Sequence, residues 1–180
     1  MTTPKPKCRW FQYSLRTLLV VMLWASIGMS WVGVKIWQAK REREAVETIQ
    51  KFGGGVNWHK LSGPKWLQLL VGVDIFNNVR IVNIAGTKVN DAGLESLKCL
   101  PQLQWLDLGY TQITDADLEH LQGSSQLQVL LLSETKVTDA GLKYLDGLSQ
   151  LRQLSLNGTA VTAEGVRKLQ QALPNCRLIR

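Results

Sequence analysis

The segment KVTDAGLKYL at residues 136–145 recurs in related form three more times in the chain. The related segments are KVNDAGLESL at 88–97, QITDADLEHL at 112–121 and AVTAEGVRKL at 160–169, so successive starts are 24 residues apart. A constant period of this length indicates a repeat protein, because a unit this small cannot bury its apolar face alone and must stack on its neighbours. The period therefore predicts a solenoid of similar units.

Aligned on this period, the units begin at residues 79, 103, 127 and 151, and the repeat domain covers 79–180 with a terminal stub at 176–180. Positions one, four and six of every unit are apolar, and positions four and six alternate as they do in a half-buried strand. These residues are Val79, Val82, Ile84, Leu103, Leu106, Leu108, Leu127, Leu130, Leu132, Leu151, Leu154 and Leu156. Each unit is therefore predicted to open with a short strand.

Helix-start residues follow the strand in each unit. Threonine stands at the N-cap position of three units, with Asn90 in the first, and an aspartate follows it in the first turn, where the helix dipole favours an acid. The threonines are Thr114, Thr138 and Thr162, and the aspartates are Asp91, Asp115 and Asp139. The aspartates are expected to pair with nothing else. An apolar helical stripe comes next, and its members are Leu94, Leu97, Leu118, Leu121, Leu142, Leu145, Val166 and Leu169. The predicted unit is thus a strand, a turn and a helix.

The stretches LQWLDLGYTQITDADLEHL (103–121) and LQVLLLSETKVTDAGLKYL (127–145) resemble leucine-rich repeats of the subclass with a short strand and a helical back. The resemblance covers 79–180 and implies an α/β solenoid with a parallel strand ladder, helices on the convex side and protein binding on the concave strand face. Threonine occupies position nine, where family members usually carry Asn or Cys, and its hydroxyl is expected to bond to neighbouring turn backbone as a threonine ladder. The stub CRLIR (176–180) is expected to begin a fifth strand after a one-residue insertion.

The stretch LLVVMLWASIGMSWVGV, residues 18–34, contains no charged residue. Its length is near the lower limit for a helix that crosses a hydrocarbon core of about 30 Å, and aromatic and basic residues flank it on both sides. We therefore predict a basic tail at 1–16 and a transmembrane helix at 17–37. A cleaved signal peptide and a buried core helix are the alternatives. The layout is similar to membrane-anchored bacterial leucine-rich-repeat proteins.

The repeat domain is expected on the extracytoplasmic side, because a short tail with four positive charges and no acid is difficult to translocate. Residues 38–78 are interpreted as a juxtamembrane helix and an N-terminal cap. The helix is expected over 38–49 and the glycines at 53–55 are expected to end it. Repeat arrays need such an atypical end unit to cover their open apolar face.

The net charge of +7 is located before the repeats. Residues 1–78 carry 11 Lys and Arg against 4 Asp and Glu, whereas residues 79–180 carry 10 of each. The repeat domain is therefore neutral, and we expect no nucleic-acid partner, since such binding needs a basic face on the folded module. The three cysteines show no metal-ligand spacing, and Cys99 and Cys176 are expected to be buried or half-buried thiols. We expect no cofactor and no metal.

Catalysis is not expected either, because no set of nucleophile, base and orienting group is visible. Glu119 and His120 are neighbours on a helix, where adjacent residues point apart, so they do not form a dyad.

The candidate binding residues lie at positions three and five of each strand, which point away from the core. They are Ile81, Trp105, Val129 and Gln153 at position three, and Asn83, Asp107, Leu131 and Ser155 at position five, with Tyr110 near the exit of its strand. Exposed aromatic residues beside aliphatic ones are typical of binding hot spots. The partner is expected to be a protein or peptide, and the linker or a second copy of this chain are the alternatives. Two other roles remain open: a self-associating structural component of the cell envelope, and an intracellular adaptor of the ubiquitin-ligase type.

Overall fold

The computed structural model describes residues 15–60, 77–89 and 91–180. The chain forms two units, residues 1–37 and residues 38–180, and helix α1 (Leu15–Lys51) contributes to both. In the first unit, α1 leaves its large apolar side chains exposed. They include Leu19, Val20, Met22, Leu23, Trp24, Met29, Trp31, Val34, Ile36 and Trp37. Within the described ranges, no helix meets both the length and the apolarity needed to cross a membrane. Most of the predicted basic tail lies outside the described residues.

The described residues of the second unit contain six strands, which form one sheet in chain order. The strands are β1 (Gly55–Lys60), β2 (Asn77–Asn83), β3 (Trp105–Asp107), β4 (Val129–Leu131), β5 (Gln153–Ser155) and β6 (Arg177–Ile179). β1 runs antiparallel to β2, and every later neighbour pair is parallel. The predicted α/β fold with a parallel strand ladder is therefore confirmed.

The segments that return from one strand to the next are shorter than the predicted helices in most units. They are α2 (Asp91–Glu95) with a 3-10 turn at Ser96–Cys99, 3-10 turns at Ala116–Leu121 and Leu142–Tyr144, and α3 (Ala163–Ala172). The predicted helix is thus an α-helix in the first and fourth units and a 3-10 turn in the second and third. Gly123 and Gly147 occupy position 21 of the second and third units and favour an early end, Gly123 adopting φ +94°. The fourth unit has Gln171 there, a good helix former, and α3 continues through it.

The predicted core positions are buried. All twelve residues at positions one, four and six are at most 2% exposed. Position four forms one continuous ladder, in which Val82, Leu106, Leu130, Leu154 and Leu178 are successive register partners. Apolar burial of this kind is the main favourable term in folding.

The register of β6 corrects the predicted insertion in the C-terminal stub. Arg177 pairs with Gln153 and Leu178 with Leu154, so the spacing of 24 residues continues into the last strand. Leu178 is therefore the inward residue of β6. Ile179 therefore lies on the opposite side of the sheet. With the predicted insertion it would have been an inward residue.

The C-terminal part of α1 covers the first repeat unit. Ala45, Val46 and Ile49 are buried in the same apolar cluster as the leucines of the repeats. The helix ends in the predicted glycine run, where Gly53 adopts φ +84° and donates its N–H to the carbonyl of Gln50 at 2.9 Å. Glycine meets the requirement of a positive φ at a helix C-terminus without a steric cost.

The threonines at position nine bond to turn backbone as predicted, although the bonds run within each unit. Each hydroxyl donates to the carbonyl oxygen of the residue three positions earlier. The pairs are Thr87–Ile84, Thr111–Leu108, Thr135–Leu132 and Thr159–Leu156, at 2.6–2.7 Å. The hydroxyl thus satisfies the backbone where the strand turns, and it forms no ladder between units.

Candidate functional site

The parallel register places the predicted binding residues in two rows on one side of the sheet, which we call the strand face. The first row is Ile81, Trp105, Val129, Gln153 and Arg177, and the second row is Asn83, Asp107, Leu131, Ser155 and Ile179. Neighbours in a row are about 4.8 Å apart. Sequence reasoning missed Arg177 and Ile179, because the supposed insertion shifted their positions by one.

The middle of the strand face is apolar. Ile81 is 40% exposed, and Trp105, Val129 and Leu131 are half-buried. Trp105 pairs in register with Val129, and Leu131 lies two residues beyond Val129 on the same side of β4. We call these four residues the apolar patch.

Polar groups surround the patch where the strands end. Asp107 is half-buried and accepts a hydrogen bond from the Gly109 N–H at 2.9 Å through Oδ1. Ser155 is only 6% exposed, and its hydroxyl lies 2.9 Å from that of Ser133. Of the predicted binding residues, Ser155 is therefore buried, and its hydroxyl is already paired within the protein.

Position eight of each unit follows the strand face and has a left-handed backbone in all four units. Glycine occupies it in the first and fourth units, and Tyr110 and Glu134, both with φ +56°, occupy it in the second and third. Tyr110 is 71% exposed. Glu134 was missed by the sequence analysis. The sequence did contain a signal for it: position eight holds glycine in two units and a residue with a side chain in the other two.

The recurring aspartates connect one unit to the next. Asp115 accepts hydrogen bonds from the N–H and the hydroxyl of Thr138 at 2.7 and 2.6 Å, and Asp139 does the same for Thr162. The prediction that these carboxylates pair with nothing was wrong, because the partners are 23 residues away in sequence. Thr162 also caps α3 as predicted, accepting from the Gly165 N–H at 3.1 Å.

Glycine at position 15 leaves the space that these carboxylates occupy. A Cβ atom on Gly141 would overlap the Asp115 carboxylate, and a Cβ on Gly165 would overlap that of Asp139. The DAG sequence of these repeats thus has a physical reason. The aspartate of one unit needs a glycine in the next unit.

The second unit carries Asp117 where the other units carry glycine, and its contacts differ accordingly. Asp117 accepts from the N–H and the hydroxyl of Thr114 in its own unit, at 2.7 and 2.8 Å. Asp91 of the first unit instead contacts His120, with 2.7 Å between Oδ1 and Nε2. The residue at position 15 therefore determines which carboxylate accepts the hydrogen bonds of the threonine at position 12. With glycine there, the carboxylate comes from the preceding unit, and with aspartate it comes from the same unit.

The Asp91–His120 pair connects the first and second units. The other ring nitrogen of His120, Nδ1, is buried and has no hydrogen-bond partner among the described residues. Cys176 is buried, and burial raises the pKa of its thiol, which disfavours the reactive thiolate. Across 15–60, 77–89 and 91–180 no group of three or more His, Cys, Asp or Glu side chains is placed to hold a metal.

The hydrogen bonds of the Asp139 carboxylate predict that the stability of the repeat domain depends on pH. Hydrogen bonds from the hydroxyl and then the N–H of Thr162 lower the pKa of Asp139 below its ordinary value of 3.8. A carboxylate whose pKa falls on folding stabilises the protein above the unfolded-state value, and this contribution is lost as the pH falls through the folded-state value. Thermal unfolding of residues 38–180 should therefore lose stability below about pH 4, and Asp139→Ala should lose less over that range. Asp146→Ala, at an exposed carboxylate, is the control, and an Asp139→Ala profile parallel to wild type would contradict the assignment.

Residues 101–161 match the family profile described as leucine rich repeat. A leucine-rich-repeat protein of Leptospira interrogans has a similar structure at 16% identity and a TM-score of 0.46, over 66% of this chain and 28% of that protein. An internalin of Listeria monocytogenes is similar at 23% identity and a TM-score of 0.36, over 48% and 30%. A chain of the Chaetomium Mex67:Mtr2 structure is similar at 16% identity and a TM-score of 0.47, over 55% and 78%.

This chain thus spans less than a third of the Leptospira and Listeria proteins. No curated protein matches it. The family match lies within the part of the sheet where the strand register repeats every 24 residues. The match and the register agree, so residues 101–161 carry leucine-rich repeats.

Proposed function

We propose that the repeat domain is a non-catalytic module that binds a partner protein or peptide on its strand face. Leucine-rich repeats generally mediate protein–protein interactions. The observation that carries the proposal is the apolar patch, in which Trp105 is in register with Val129 on a face that no described helix covers. Tryptophan and tyrosine beside aliphatic side chains are enriched in binding hot spots.

The dimensions of the strand face favour a small partner surface. Five parallel strands at about 4.8 Å spacing give a width of only about 20 Å. A stable interface between two globular proteins usually buries about 800 Å² on each side. An extended peptide or a loop of a partner protein fits the available width better than a broad globular surface.

A self-associating component of the cell envelope is the competing role, because the same patch would also be covered between two copies of the chain. Light scattering on residues 38–180 separates the two roles. A monomer for both wild type and Trp105→Ala is expected, and it supports a foreign partner. A wild-type dimer that becomes a monomer on Trp105→Ala would contradict a foreign partner and support self-association instead. Tyr144→Ala, an aromatic substitution in the 3-10 turn at Leu142–Tyr144, is the matched control.

We also propose that residues 17–37 attach the protein to a membrane as a single-pass anchor, with the repeat domain on the extracytoplasmic side. The uncharged stretch at 18–34 and the exposed apolar side chains of this part of α1 support the proposal. The full chain should remain in the membrane pellet after an alkaline carbonate wash, and externally added protease should digest the repeats of intact spheroplasts. Release by carbonate would exclude an inserted anchor, and protection from protease would reverse the orientation.

A further inference from the structure

We propose that the partner of the strand face is an extended segment in which a basic side chain lies two residues from an aliphatic or aromatic one. This inference rests on the proposed binding function and assigns the chemistry of the partner. The apolar side chain packs on Trp105 and Leu131, and the basic group bonds to the carboxylate of Asp107. The carboxylate of Glu134 lies beside Gly158 of the fourth unit and contributes a second negative charge. The proposal has three grounds: charge complementarity, backbone conformation and spacing.

The first ground is the distribution of charge over the strand face. Asp107 is the last residue of β3, and Glu134 lies three residues beyond the end of β4, so both acids are where the strands end. Neither carboxylate forms an ion pair within the described part of the chain, and Asp107 Oδ2 receives no hydrogen bond there. A partner cation would therefore gain two negative charges that the protein itself leaves unpaired.

Two basic side chains lie toward the other end of the strands. Arg152 directly precedes β5, and Arg177 is the first residue of β6. Strand geometry puts the Arg177 backbone about 15 Å from that of Asp107, which exceeds the screening length of about 8 Å at physiological salt. Lys136, two residues after Glu134, makes no ion pair with it in the described structure. Lys88 and Arg180 also follow the ends of their strands, one strand and three strands away from β3. The unpaired Asp107 carboxylate, rather than the net charge, therefore favours a cation at this end of the face.

The second ground is the backbone at position eight. Side chains with a Cβ rarely adopt a positive φ, and Gly86 and Gly158 meet this requirement in the first and fourth units. Tyr110 and Glu134 retain side chains there, in the two units that contribute Trp105 and Leu131. A residue kept in an unfavourable conformation where glycine would suffice points to a role beyond folding.

The third ground is that these groups fit one ligand chemistry. A lysine or arginine can lie over the aromatic ring of Tyr110 while it bonds to the carboxylate of Asp107. Trp105 and Asp107 are two residues apart on β3, which is about 6.6 Å in a strand, and alternate residues of an extended peptide have the same separation. A peptide lying along β3 and β4 therefore presents an apolar residue and a basic residue at matching intervals.

The test is selection of a phage-displayed library of random nine-residue peptides on the full chain in detergent micelles. Enriched peptides should carry Lys or Arg two residues from an aliphatic or aromatic residue. A synthetic peptide of the enriched sequence should bind at least about five-fold more weakly to Glu134→Gln and to Asp107→Asn. Affinity should also fall with added salt. Glu119→Gln, an exposed acid in the 3-10 turn at Ala116–Leu121, should bind as wild type does.

The other outcomes are distinguishable. Enriched peptides that are neutral or acidic but lose binding with Trp105→Ala would overturn this inference and leave the proposed function standing. Basic peptides that bind the Glu134→Gln and Asp107→Asn proteins as tightly as wild type would also overturn it. If no peptide depends on Trp105, the inference and the peptide-binding function both fall.

Discussion

Leu130→Ala should lower the free energy of unfolding of residues 38–180 by about 2–5 kcal/mol. Leu130 is fully buried, and its register partners in the position-four ladder are Leu106 and Leu154. Removing the side chain leaves a cavity between the second, third and fourth units. Since each unit of a repeat array is stabilised mainly by its neighbours, the defect weakens two interfaces at once. Urea unfolding followed by circular dichroism measures the loss.

The adjacent residue provides a control with the same chemistry. Leu131 is half-buried on the strand face, so Leu131→Ala removes fewer contacts and leaves no enclosed cavity. It should cost less than half as much stability as Leu130→Ala. Similar losses for the two variants would mean that the leucine ladder does not dominate the stability of the sheet.

Gly141→Ala should cost about 1–3 kcal/mol, because a side chain at this position competes with the link between the second and third units. The new Cβ would overlap the Asp115 carboxylate and lie 3.1 Å from the Asp115 Cα, which is backbone and cannot rotate away. The carboxylate would have to leave Thr138, and both of its hydrogen bonds with Thr138 would be lost. Chemical denaturation of residues 38–180 measures the effect.

Gly147→Ala is the matched control, six residues further along the same unit. A Cβ there meets no atom within 4 Å, and Gly147 is not among the glycines with positive φ. The substitution should be neutral or stabilise by up to about 1 kcal/mol through the unfolded state. If Gly141→Ala and Gly147→Ala unfold at the same denaturant concentration, the space at position 15 is not what the glycine provides.

The two sides of the sheet have different roles. One side forms the core and provides stability, and the other is the proposed binding surface. The leucines at positions four and six hold the units together from within, whereas Trp105, Asp107 and Leu131 point away from that core. Substitutions on the strand face can therefore remove binding and leave the fold intact. This separation makes the peptide selection interpretable, because a Trp105→Ala protein with native circular dichroism reports on the surface alone.

The period and the alternation of apolar residues determined a large part of this protein. They identified the buried apolar positions of the units and placed Trp105 beside Val129 and Asp107 beside Leu131, because a residue in a strand faces either the core or the solvent. Burial of apolar side chains acts on each unit in the same way. A pattern read within one unit therefore predicts the sheet that all units form.

Contacts between units were decided only by the tertiary structure. Asp115 reaches Thr138, and Asp91 reaches His120, across 23 and 29 residues of sequence. Which partner each carboxylate finds depends on the free volume in the next unit, and a single change from glycine to Asp117 redirects it. The backbone conformation of Tyr110 and Glu134 was likewise decided by the tertiary structure. Hydrogen bonds from their N–H groups to the next unit hold the strand exits in register, and that geometry imposes a positive φ which no local preference of Tyr or Glu would indicate.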